Sequence, residues 1–65
     1  MPLYVAKASF DAQAGVWYVE YTDIPGLAVD APTFEGLRHK IKTMGSALLA
    51  ANGLEFGCVE IITTA

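Results

Sequence analysis

Charge of either sign is scarce in this chain. Only 17% of its 65 residues are charged, against roughly 25% in ordinary soluble domains. Basic residues are the rarest, four in all, and apart from Lys7 they crowd with His39 into one segment, Arg38 to Lys42. With a net charge of −3, the chain lacks the basic patch that a free-standing nucleic-acid binder sets against phosphate. A single cysteine, Cys58, excludes an intrachain disulfide and fits a reducing compartment. A single histidine leaves no second imidazole or thiol at ligand spacing for zinc. No apolar run approaches the ~18 residues of a membrane span. Met1-Pro2-Leu3-Tyr4 has no basic start of a secretory signal, so the cytoplasm is the expected compartment. The glycines are scattered and make no phosphate-binding loop.

What the chain has in excess is apolar surface. Hydrophobic residues make up 54% of it, yet a chain this short buries only about 60% of its unfolded surface. Self-association removes the remainder from water, since obligate interfaces resemble a divided core. A homo-oligomer, dimer or tetramer, is therefore expected.

The pattern along the chain reads as one domain over residues 1–65. Leu3 to Phe10 alternates, with Tyr4, Ala6, Ala8 and Phe10 on the face expected to be buried, together with Trp17, Val19 and Tyr21, and Leu3, Val5, Lys7 and Ser9 on the other. Asp11 to Gly15 is a turn cluster closing a hairpin, and Val16 to Thr22 is a second strand. Setting Phe10 opposite Trp17, Ala8 opposite Val19 and Ala6 opposite Tyr21 also brings Lys7 to Glu20, so charge and apolar pattern choose one register. In Asp23-Ile24-Pro25-Gly26, Pro25 and Gly26 suit the two central positions of a type II turn. A short strand over Leu27 to Asp30 follows, and Pro32 ends it. Thr33 caps a helix over Phe34 to Asn52. Its apolar stripe is Phe34, Leu37, Ile41, Met44, Leu48 and Ala51, with Leu49 on the shoulder. Gly53 fills the left-handed position after it. Phe56 to Thr63 is β-branched and reads as the last strand, with Val59 and Ile61 inside. The expected fold is α+β, β-β-β-α-β, an antiparallel sheet with one helix packed on one face.

None of these residues makes a convincing catalytic, cofactor or metal site. His39 falls on the solvated helix face, with Glu35 one turn earlier. Cys58, mid-strand without a basic neighbour, reads as a small buried hydrophobe. The carboxylates explain themselves as turn residues (Asp11, Asp23), a helix-start charge (Glu35) and a partner of Lys7 (Glu20). Candidate contacts for a second chain are Val5, Tyr18, Leu49 and Ile62.

Together, Asp11-x-x-x-Gly15, the aromatic strand, Asp23-Ile24-Pro25-Gly26 and Thr33-Phe34-Glu35 opening a helix resemble the HicB-like antitoxin domain, in particular its short stand-alone relatives. The resemblance covers about residues 3–52 and implies a partial ribonuclease H-like β-β-β-α-β fold and oligomeric assembly. It further implies a non-catalytic role, in which the domain binds and neutralises a small basic ribonuclease toxin. Full HicB antitoxins carry a separate DNA-binding segment. None follows the last strand here, so operator binding is not expected. Gly36 stands where the family has a second glutamate. The alternatives are a self-assembling protein without a toxin partner and, last, a metal-dependent ribonuclease H-like nuclease using acids such as Asp11 or Asp23.

Overall fold

The computed structural model describes residues 2–63. Five elements follow in order: β1 (Leu3–Asp11), β2 (Val16–Thr22), β3 (Asp30–Ala31), α1 (Phe34–Ala51) and β4 (Cys58–Thr63). They form a four-stranded sheet in the order β3-β2-β1-β4 with one helix. The α+β class and the β-β-β-α-β order are as expected, but the sheet is mixed. β1 and β2 are antiparallel, as are β2 and β3, whereas β4 runs parallel to β1. The helical crossover carries the chain from the β3 edge to the far side of β1, the kind of long connection that parallel pairing requires.

The β1–β2 hairpin closes through Asp11, whose carboxylate accepts from the amides of Gln13 and Ala14 at 3.0 and 3.2 Å. Phe10 pairs with Trp17 and Ala8 with Val19, as the sequence pattern requires. Beyond Ala8 the register shifts, so that Lys7 faces Tyr21 and Ala6 faces Thr22. Glu20 is the extra residue of a β-bulge, and the bulge turns Tyr21 outward, 61% exposed, where alternation alone buries it. Thr22 takes its place beside Ala6 and donates its hydroxyl to the Val5 carbonyl at 2.8 Å.

At the Pro25-Gly26 corner, Leu27 N–H donates to the Ile24 carbonyl at 3.3 Å and Gly26 has φ +80°, as a type II turn demands. The sheet resumes only at Asp30–Ala31, later than the expected Leu27–Asp30 strand, because Leu27 is buried in the core instead. Thr33 caps α1, accepting from Gly36 N–H at 3.0 Å. A side chain on residue 36 would stand 3.0 Å from that hydroxyl, which accounts for glycine there. At the other end Leu54 N–H reaches the Leu49 carbonyl and Gly53 N–H the Ala50 carbonyl, the paired bonds of a Schellman motif.

The core is Ala6, Ala8, Ile24, Leu27, Ala31, Leu37, Ile41 and Leu49. Small alanines on β1 leave room for the larger helix side chains to settle on the sheet. The helix is rotated from the expected stripe. Leu37, Ile41, Gly45 and Leu49 form its buried row, and Met44 is 46% exposed. The cause is Ile24, whose Cδ1 lies 3.4 Å from the position a Cβ on Gly45 would occupy, so the helix seats on Ile24 there. Leu49, expected at an interface, is 1% exposed and belongs to the core. Phe10, expected inside, is about half exposed, since Trp17 (5.5 Å between ring centres) shields only one side of it and Phe34 stacks on Trp17, not on Phe10.

Candidate functional site

α1 lies over β2 and β3, and its contact with β4 is slight. The sheet face opposite the helix therefore stays uncovered, and β4 is covered only in part, by the packing of Val59 and Ile61 at the margin of the core. Leu3, Val5, Lys7 and Ser9 of β1 point to the bare face, flanked by Tyr18 of β2 and by Cys58, Glu60 and Ile62 of β4. At its centre Lys7 Nζ meets Glu20 Oε2 at 3.0 Å. The bulge offsets Glu20 by one position, and the ion pair forms all the same. The Lys7 hydrogen bond and then its charge, with a smaller contribution from a Ser9 hydrogen bond, hold the Glu20 carboxyl below its ordinary value against a modest desolvation effect.

Three of the four candidate contacts share this face. Val5 and Tyr18 are half-buried within it, and Ile62 is exposed; Leu49 lies on the other side of the sheet. Cys58 is exposed on the bare face of an edge strand with no layer over it, so it is not the buried hydrophobe expected. His39 is exposed on α1, over a shallow surface hollow shared with Glu35, Arg38 and Lys42. Among the described residues no three His, Cys, Asp or Glu side chains come together as a metal site. Asp23 is engaged by the backbone, its Oδ1 accepting from Val5 N–H at 2.8 Å, and Asp11 by its own loop.

Two clefts were not foreseen from the sequence. One, of about 480 Å³, opens between the β2–β3 side and the helix, with Lys40 and Met44 on its wall. The other, of about 370 Å³, separates Lys42 and Ser46 of α1 from Gly57, Cys58 and Val59.

Comparison with known proteins places this architecture. The chain matches, over residues 3–60, the family described as Domain of unknown function (DUF1902). It belongs to this family. The DUF1902 chain is also similar to a solved structure, a hypothetical protein, TTHA1013, from the extremely thermophilic bacterium Thermus thermophilus. The two share 37% identity and a TM-score of 0.87, over 98% of this chain and 94% of that one. No functionally curated protein matches the chain. No described helix is long and apolar enough to cross a membrane.

Proposed function

We propose that this DUF1902 chain is a non-catalytic, oligomeric binding domain of the HicB-like antitoxin type, acting in the cytoplasm. Its client in this reading is a small basic ribonuclease toxin. The observation that carries the reading is the sheet's bare face, on which apolar side chains surround one ion pair and, among the described residues, no metal-type cluster is present. A surface of that kind suits protein contact better than chemistry on a small substrate. The acidic balance, pI about 4.7, favours a basic partner by charge complementarity. The Pro-Gly corner and the Thr33-capped helix, on which the HicB-like resemblance stands, are both formed in the fold.

The test is co-expression with any small basic reading frame found to adjoin this gene, followed by affinity purification. A stoichiometric complex that Ile62→Arg weakens supports the reading. Recovery of the protein alone overturns it. A second reading, self-assembly without a toxin, draws on the apolar side chains left exposed, Leu3, Tyr21, Phe56 and Ile62 among them. The nuclease alternative predicts heat on adding magnesium or manganese in calorimetry. A flat titration disposes of it.

A further inference from the structure

We propose that the outer edge of β4 is a seam at which two copies of this chain join, antiparallel, into one continuous sheet. The proposal rests on the oligomeric part of the reading above and is independent of any toxin.

The two edges of the sheet differ. β3 is two residues long, and its Asp30 carbonyl is already taken by Lys40 Nζ at 2.7 Å. Shortness and a lysine are the usual guards of an edge. β4 has six residues, Cys58-Val59-Glu60-Ile61-Ile62-Thr63, with neither proline nor lysine. Cys58 N–H donates to the carbonyl of Pro2, the residue just before β1, at 3.0 Å. By alternation the backbone groups of Glu60 and Ile62 turn to β1 as well, and those of Val59, Ile61 and Thr63 point outward. Among the described residues no strand pairs with that outward side. A second observation concerns the side chains. Val59 and Ile61 face the helix layer and pack at the margin of the core, yet are only half-buried, and the cleft of about 370 Å³ opens beside Val59.

A second copy fits this edge better than an arbitrary peptide because the edge complements itself. A two-fold axis at Ile61 sets Ile61 against its own copy, Val59 against Thr63 and Glu60 against Ile62. All three outward residues then pair, for about six backbone hydrogen bonds. Shifting the axis to Glu60 sets carboxylate against carboxylate, leaves Thr63 unpaired and loses two of the six hydrogen bonds. With the axis at Ile61 and normal to the sheet, both helices lie on one side. The Val59 and Ile61 side chains of the two copies then lie side by side, and the half of each now wet is drawn into the seam. The opposite face, with Lys7 and Glu20, stays free for another partner.

Two variants test the seam. Proline at position 61 removes an N–H that the monomer does not use and blocks the partner's pairing. Ile61→Pro should keep the far-UV circular dichroism and raise the apparent dissociation constant at least about a hundredfold, read by light scattering from about 1 μM upward. Cys58→Ser/Glu60→Cys/Ile62→Cys places thiols at a non-hydrogen-bonded cross-strand pair and should yield a covalent dimer on oxidation. If Ile61→Pro unfolds the chain, the cross-link alone decides. An oligomer that survives Ile61→Pro, or that fails to cross-link, overturns the seam and leaves the oligomeric reading standing. A native protein that stays monomeric overturns both.

Discussion

Gly45 invites a substitution whose sign can be worked out in advance. It sits mid-helix, buried, in the row with Leu37, Ile41 and Leu49. Glycine there costs the helix about 0.8–1.0 kcal/mol relative to alanine. A methyl group added at residue 45 would meet Ile24 Cδ1 at 3.4 Å, an ordinary van der Waals distance to the far end of a flexible side chain. Its burial adds up to about 0.8 kcal/mol, from which a small shift of Ile24 subtracts. Gly45→Ala should therefore stabilise the fold by about 1 kcal/mol, raising Tm by about 4–8 °C for a domain this size. Gly36→Ala is the internal control. The same helical gain is set against crowding of the Thr33 cap hydroxyl at 3.0 Å and of Ala31 Cβ at 3.3 Å, and loss of a cap costs about 1 kcal/mol. Its net effect should be near zero or negative. Both variants are compared by thermal melts at one protein concentration, since association shifts Tm. A Gly45→Ala protein that melts below the parent would refute the reasoning, because the helix would then have no slack over Ile24.

Three further outcomes are expected. Leu49→Ala removes a fully buried side chain and should cost about 2–5 kcal/mol; a loss under about 0.5 kcal/mol on chemical denaturation would place residue 49 outside the core. Gly57→Ala drives a methyl group into the Pro2 carbonyl, the backbone acceptor of Cys58 N–H, and should detach the start of β4, seen as lost amide protection at Cys58. Glu20 has a folded pKa below its ordinary 4.5, so its stabilising contribution is present above that pH and fades as pH falls through the lower, folded value. The parent should thus lose stability faster than Glu20→Gln on acidification below about pH 5, by a small amount because the pair is solvated.

Much of the fold can be read from particular residues. Thr33, the Pro25-Gly26 corner, Asn52-Gly53 and the Phe10–Trp17 register act through bonds to near neighbours, and all four stand in the structure. What the pattern could not supply came from distant contacts. Period-two alternation has no place for an extra residue, so it hides the bulge at Glu20, although the Lys7–Glu20 ion pair is legible in the charge pattern. Helical periodicity allowed a stripe through either Met44 or Leu49, and Ile24, from another element, decided between them. The exposure of Cys58 follows from β4 being an edge, and strand order is not written in any one strand. For the candidate surface, Val5, Tyr18 and Ile62 followed from alternation, while Leu49 failed with the rotation of the helix.

The lopsided placement of α1 also bears on the order in which the molecule comes apart. β1 and β2 are joined by a tight loop and clamped by the helix. β4 is held by parallel pairing to β1, by the Tyr4 hydroxyl on the Glu55 carbonyl at 2.8 Å, and by two half-buried side chains, Val59 and Ile61, with no fully buried residue of its own. Native-state deuterium exchange should therefore find β4 opening in a separate, low-energy step while the hairpin and helix stay closed. A fragment of sheet that opens without global melting is one that can also change neighbours.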